Sequence, residues 1–480
     1  MPALTHVPVP ALPFTRFAGI LEPEPYKRFA DAVARSRELL DGRIVWNVNS
    51  TARGGGVAEM LVSLLAYARG AGVNARWEVI GGSPDFFAIT KRLHNNLHGE
   101  PGDGGKLGRA ERTAYEEALA DDARELAEKI HRDDVVILHD PQTAGLIPVL
   151  KEIGAPVIWR CHVGLDRATD VTRAAWRFLI PYVSEADAYV FSRQAFTWEG
   201  LEPERTTLIA PSIDAFSAKN QDLADSAVGA ILAAAGLSDD ENGGSPVFRR
   251  EDGSPDRVHR RAEVFEERPL RHDDRIVVQV SRWDRLKDPL GVIKGFAEHV
   301  APETDAHLVY AGPVVAAVSD DPEGEAVLAE ARELWASLPD DSRARIHLAC
   351  LPMDDPEENG AIVNALQRRA EVVVQKSIAE GFGLTVAEAM WKGRPVVATR
   401  IGGIQDQIED GASGVLLDDP TDLATYGKAV AGLLADPGAA ARMGAEARRS
   451  VRDNFLTVRS LMQYLDLIER LLEGSGADGQ

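Results

Sequence analysis

The chain has 480 residues, 45% hydrophobic and 27% charged, which is too long for one hydrophobic core and points to two globular domains. Lysine and arginine number 53 against 75 for aspartate and glutamate, a net charge of −22. So acidic a surface argues against nonspecific binding to nucleic acid or to an anionic membrane, and an anionic substrate would need a local basic island. Residues 1–10 have neither a basic n-region nor an apolar h-region, and no later segment approaches the roughly 20 apolar residues of a membrane helix. Cys161 and Cys350 lie far apart without metal-ligand spacing, which predicts buried free thiols in a cytoplasmic protein.

Along the chain, short β-rich runs alternate with longer helical patterns. Residues 44–49 read as a strand, followed by Gly54-Gly55-Gly56. Then Val57, Met60, Leu61, Leu64, Leu65 and Ala68 mark one helical face. Further strands are predicted at 77–80, 135–139, 157–161 and 188–191. Such alternation implies a parallel sheet covered by helices on both faces. The first series breaks after Pro211-Ser212, and a second runs through 276–281, 307–311, 346–348, 372–375 and 395–399. The predicted domains are therefore 1–212 and 213–455. Residues 238–275, rich in Asp, Glu, Arg, Gly and Pro, read as a surface excursion or partly disordered stretch without a catalytic part. Near the end, Leu456, Leu461, Tyr464, Leu465, Ile468, Leu471 and Leu472 form an apolar helical stripe, with a frayed tail predicted from Gly474. Two doubly wound domains facing each other would leave a ligand cleft at the carboxyl ends of their strands.

The richest segment is Glu380-Gly-Phe382-Gly383-Leu384-Thr385-Val-Ala-Glu388, between the strand at 372–375 and a helical pattern. A helix start offers unpaired N–H groups and a positive dipole end to phosphate, and carboxylates beside it suit sugar hydroxyls. Arg282 and Lys287 follow the first strand of the second series, where a bidentate fork and a mobile point charge suit a diphosphate. The plainer reading of that pair is surface ion pairing to Asp284 and Asp288. Gly54–Gly56 lies at a strand-to-helix turn where bare backbone can approach phosphate, although its spacing fits neither a dinucleotide fingerprint nor a P-loop. Arg160-Cys161-His162 and His139-Asp140-Pro141 end first-domain strands. His162 is placed to meet a sugar hydroxyl and Asp140 an acceptor, against the alternative of satisfied structural residues. No Ser/His/Asp elbow, zinc spacing or strand-end D-x-D occurs, so no metal or other cofactor is expected and the diphosphate charge falls to Arg282, Lys287 and helix amides.

Taken together, Arg282 with Lys287 and the Glu380–Glu388 segment resemble the two signatures of glycosyltransferase family 4, retaining enzymes of the GT-B fold. Trp46–Ser50, Gly54–Met60, Phe87–Gly99, His139–Gln142, Trp159–His162, Ala210–Asp214, Val280–Asp284 and Glu380–Gly393 are most similar to the family of trehalose synthases of the glycosyltransferring type. The resemblance covers about residues 40–470. The excursion at 238–275 and an insertion at 101–107 depart from the pattern.

The resemblance implies an α/β fold of two facing Rossmann-like, doubly wound domains, with the C-terminal helix at 456–473 crossing back to complete the first. It implies that Arg282 and Lys287 hold and stabilise the leaving diphosphate. Glu380 would bind the donor glucose, with backbone around Phe382, Gly383 and Leu384 touching its hydroxyls. The Leu384 and Thr385 amides would face phosphate, Glu388 the ribose, Gly55 and Gly56 the diphosphate, and His162 the glucosyl unit. The implied reaction is reversible, metal-independent transfer of glucose from ADP- or UDP-glucose to glucose, giving α,α-trehalose by front-face attack. Its partners would be a nucleotide sugar and glucose or trehalose, with a homodimer left open. A retaining trehalose phosphorylase, a family-4 transferase with another acceptor, and an inactive nucleotide-sugar-binding regulator remain as alternatives.

Overall fold

In this chain, short Val- and Ile-rich runs become strands and the stripes between them become covering helices. The computed structural model describes residues 4–52, 56–239, 244–315 and 322–477. It divides into two compact units, Met1–Ser212 with Thr457–Gln480, and Ile213–Leu456.

Among the described residues, the first unit's sheet comprises β1 (Thr5–Val7), β2 (Ile44–Asn49), β3 (Asn74–Val79), β4 (Val135–His139), β5 (Val157–Cys161), β6 (Ala188–Phe191) and β7 (Thr206–Leu208). Their order is β1-β3-β2-β4-β5-β6-β7, parallel except for β1, which runs antiparallel to β3. Every residue of β4, β5 and β6 is buried, as expected for a parallel sheet covered on both faces. The strand predicted at 77–80 begins three residues earlier, because Asn74 already pairs with Ile44. The helix Gly56–Gly70 buries residues on more than its predicted stripe, Ala58 and Tyr67 included. Gly70 permits a close crossing there, since a Cβ on it would lie 1.7 Å from the Leu12 carbonyl oxygen.

The final helix, Thr457–Ala477, belongs to this first unit. Its Tyr464, Leu467 and Ile468 pack with Val45, Leu64, Ile137, Ile158 and Val190 in one cluster against the sheet. The helix runs past Gly474, where fraying was predicted, and residues 478–480 lie outside those described. Where the chain passes to the second unit and leaves it, Ile213 N–H donates to the Phe455 carbonyl at 2.9 Å. The insertion at 101–107 is pinned by Arg92, whose Nε meets Asp103 Oδ1 at 2.5 Å.

The second unit holds a hairpin of β8 (Val247–Arg249) and β9 (Pro255–Arg257), and a sheet of β10 (Glu263–Phe265), β11 (Ile276–Val280), β12 (His307–Pro313), β13 (Ile346–Leu351), β14 (Val372–Gln375), β15 (Val396–Thr399) and β16 (Val415–Leu417). The sheet order is β10-β13-β12-β11-β14-β15-β16. Much of the 238–275 stretch is thus built in, β10 pairing antiparallel with β13. Charge anchors it. Arg250 meets Asp355 and Asp256 at 2.5 Å each, and the buried Glu358 accepts from the His259 and Arg260 amides at 2.5 and 2.7 Å. Ion pairs and backbone bonds replace the apolar periodicity that a sequence reading needs. Residues 240–243 lie outside the described part.

Leu467 is 2% exposed, so Leu467→Ala opens a cavity under the sheet. We expect a loss of about 2–5 kcal/mol in urea unfolding of the full chain. A change under about 0.5 kcal/mol would mean that the last helix does not complete this core.

Candidate active site

In the second unit, β11 and β14 are neighbours in the sheet, so their carboxyl ends bring together residues about ninety positions apart in sequence. Lys287 Nζ donates to Glu380 Oε2 at 2.6 Å, with side chains only 15% and 12% exposed. The backbone braces the two loops: Ile378 N–H donates to the Leu286 carbonyl at 2.7 Å, and Gln279 Nε2 to the Lys287 carbonyl at 2.8 Å. Below this pair the fully buried Lys376 is paired with Asp288. Asp288 adopts φ of 51° and caps the helix Pro289–Gly295 by accepting from Gly291 N–H at 3.0 Å. Of the two plain ion pairs weighed from sequence, only Arg282 with Asp284 forms, at 2.9 Å. Lys287 turns to Glu380 instead, because Lys376 occupies Asp288.

Gly383, at φ 79°, is the N-cap of the helix Leu384–Trp391, a left-handed conformation that glycine adopts without cost. The first amides of that helix, Leu384 and Thr385 among them, have no acceptor within the helix. Gly402 and Gly403 close the turn from beside it. A Cβ on Gly402 would sit 1.9 Å from the Glu380 carbonyl oxygen, and Gly403 N–H donates to Gly381 at 2.7 Å. Gln407 Nε2 reaches the Phe382 carbonyl at 2.6 Å. Phe382 itself is buried, its ring 5.9 Å from that of Phe455.

One helical turn on from Leu384, Glu388 is 4% exposed, and its Oε2 has no hydrogen-bond partner among the described residues. Its Oε1 lies 3.8 Å from Lys219 Nζ. Nearby, the buried Lys392 donates to Asn220 Oδ1 at 3.0 Å, and burial pushes its ammonium down to about 7. Lys376, Lys219, Lys392, Gly402, Gly403 and Gln407 escaped the sequence reading. The one usable signal was the Gly402-Gly403 pair just after a strand.

In the first unit, Gly55 lies outside the described residues and Gly56 opens its helix. His139, Asp140 and His162 form one polar network. Asn47 Oδ1, an acceptor, lies 3.1 Å from His139 Nε2, so that nitrogen carries the proton. His139 Nδ1 then accepts from His162 Nε2 at 3.1 Å, and His162 Nδ1 faces Arg160 Nε at 3.5 Å. Both nitrogens of His162 are therefore engaged within the unit, the Arg160 contact being the longest. Burial and the Arg160 charge keep both rings neutral, with His139 lowered to about 3 and His162 well below its ordinary value. Asp140, held at φ 64°, accepts from the His162 amide at 2.8 Å, and burial raises its carboxyl to about 6. Both cysteines are buried free thiols, Cys161 donating to the Val163 carbonyl at 3.1 Å. Among the described residues no cluster of His, Cys, Asp and Glu could hold a metal ion. No helix among them is long and apolar enough to cross a membrane.

The His139 network makes stability pH-dependent. The unfolded histidine titrates near 6.5, whereas the folded one resists protonation to about 3. The stability gained by keeping it neutral is whole above pH 6.5 and is lost as pH falls toward 3. Between pH 7 and 5 the unfolded state gains about 2 kcal/mol from this group. The stability difference between wild type and His139→Gln should shift by that amount, in the variant's favour, when urea unfolding is repeated across the range. A constant difference would contradict the neutral ring.

Known proteins match both units. Residues 47–198 match the family of the trehalose synthase N-terminal domain, and residues 356–450 match the glycosyl transferases group 1. A trehalose synthase from Rubrobacter xylanophilus is 36% identical over 459 residues, covering 95% of this chain and 96% of its own. A trehalose phosphorylase from Pleurotus pulmonarius is 27% identical over 87% of this chain, which spans 56% of that protein. Among solved structures, the UDP-forming α,α-trehalose-phosphate synthase from Burkholderia vietnamiensis superposes with a TM-score of 0.64, covering 88% of this chain and 96% of its own. At 15% identity that likeness shows the fold alone, the two-domain GT-B fold of glycosyltransferases. Across 95% of its length, then, this chain belongs to the trehalose synthase family of group 1 glycosyltransferases.

Proposed function

We propose that the chain is a retaining glucosyltransferase that moves glucose from a nucleoside diphosphate glucose to free glucose, forming α,α-trehalose. One observation carries the reading. The Lys287–Glu380 pair, at 2.6 Å, lies just before the helix Leu384–Trp391, whose first amides lack acceptors within the helix. A cation, an N-terminal dipole and a carboxylate so placed offer one end to phosphate and the other to sugar hydroxyls. The unpartnered Oε2 of Glu388 supports a ribose at that carboxylate, because a buried acceptor without a donor is costly until a hydroxyl fills the gap.

As the C1–O bond to the diphosphate breaks, its electron pair leaves with the phosphate oxygen. Arg282, Lys287 and the Leu384 and Thr385 amides meet that growing charge. The acceptor hydroxyl oxygen forms the new bond to C1 on the same face, and its proton passes to the departing phosphate oxygen. Trehalose and a nucleoside diphosphate result, and the reverse path uses the same groups. Glu380 holds glucose hydroxyls and forms no bond to C1. Preorganised charge supplies the rate, so no metal is invoked. Asp140 and His162 would meet sugar hydroxyls, His162 by giving up its long contact to Arg160.

Lys287→Ala and Arg282→Ala should each lower kcat by about 10²–10³-fold while circular dichroism stays unchanged. Near-normal turnover in both would sink the phosphate assignment. Glu388→Gln should raise the KM for the nucleotide sugar about tenfold with kcat nearly unchanged, since the lost contact is made equally in ground and transition states. An unaltered KM would place the ribose elsewhere.

The likeness to a trehalose phosphorylase favours a second reading, with inorganic phosphate as co-substrate. Purified protein given ADP- or UDP-glucose and glucose should release nucleoside diphosphate and trehalose. Trehalose breakdown that needs phosphate and ignores nucleotides would select the phosphorylase instead.

A further inference from the structure

The opposite end of the second sheet holds a pocket that the reaction does not use. It has a volume of about 340 Å³ and lies at the amino ends of the strands, beside Ile276 at the start of β11, Glu371 just before β14 and Arg394 just before β15. The proposed donor groups sit at the carboxyl ends of β11 and β14. Leu232, Leu270 and Leu366 give the pocket an apolar floor, and all are buried. Four arginines, Arg271, Arg368, Arg369 and Arg394, line it together with His272, against only two carboxylates, Asp225 and Glu371. On a chain of net charge −22 such a concentration of guanidinium is a local reversal of sign.

Two of these arginines are committed. Arg368 meets Asp222 at 3.0 Å, and Arg369 meets Glu371 at 3.2 Å and the Asp274 carbonyl at 2.5 Å. The other two are not. No hydrogen bond or ion pair engages the side chain of Arg394 or Arg271 among the described residues, and the Arg394 Nε is buried without an acceptor. Burial lowers the Arg394 guanidinium, as do the charges of Arg368 and Arg369, while Glu371 and Asp225 act the other way. Four guanidinium groups against two carboxylates leave the pocket with an excess of positive charge, which an anion would complete. The rim is fixed in place, the His272 amide donating to Asp239 Oδ1 at 3.1 Å.

We propose that this pocket binds a small phosphomonoester, its phosphate on Arg394 and Arg271 and its organic body over the leucine floor. Guanidinium is the side chain best matched to phosphate oxygens, and the volume exceeds what a bare phosphate fills. The inference is independent of the reading of the donor site.

Titration calorimetry with glucose 6-phosphate as probe, and inorganic phosphate in parallel, tests it on the full chain. Lys287→Ala serves as background, so that the proposed diphosphate site contributes less. Saturable binding is expected, weakened at least tenfold by Arg394→Met and about fivefold by Arg271→Glu, a rim change that leaves packing intact. Glucosyl transfer without the probe should be unaffected by Arg271→Glu. Tighter binding of the sugar phosphate than of inorganic phosphate supports an occupied floor, and equal binding overturns that part. No saturable binding of either probe, or binding indifferent to both substitutions, overturns the site.

Discussion

The candidate active site rests on the contact between Lys287 and Glu380. Neither loop has a long regular element to hold it, and both charges are largely withdrawn from water. A partly buried ammonium or carboxylate is tolerated only with a partner, so each fixes the position of the other. The contact exists because β11 and β14 pair directly, and the buried Lys376–Asp288 pair beneath it sets the backbone from which Lys287 departs. These charges satisfy one another. A donor that brings phosphate to Lys287 and hydroxyls to Glu380 exchanges one set of partners for another without leaving a bare charge, which is the electrostatic condition for a preorganised site.

The same logic accounts for the first unit and for the surface. Arg160 is buried beside two histidines, and its charge together with their burial keeps both rings neutral. An acidic exterior, meanwhile, leaves the positive groups concentrated where the fold places them. They gather at the carboxyl ends of β11 and β14 and again at the amino ends of β11, β14 and β15.

Much of the fold was legible because the central strands are Val and Ile runs buried on both faces, as at Val135–His139 and Val372–Gln375. The short edges, Thr5–Val7, Thr206–Leu208 and Glu263–Phe265, escaped because their residues face solvent in part and carry no period. The 238–275 stretch was illegible for a related reason, since Arg250 and Arg260 hold it through carboxylates more than a hundred residues away in one case and nearly so in the other. At the site, Glu380, Glu388 and Lys287 stood out through glycines and strand-to-helix turns. Their mutual pairing did not, because pairing belongs to the sheet order. Lys376 was invisible, since a lysine in sequence gives no sign of being fully buried. His162 was singled out, but its capture by His139 and Arg160 could be known only from three dimensions.

On the proposed mechanism, side chains and helix amides, and not a divalent cation, receive the leaving diphosphate. Proton NMR of the purified protein turning over a nucleoside diphosphate glucose with glucose, in excess EDTA, tests it directly. The account predicts undiminished release of nucleoside diphosphate and a product with both anomeric protons in the α configuration. Turnover that collapses in EDTA and returns with Mg²⁺, or a β-linked product, would contradict it.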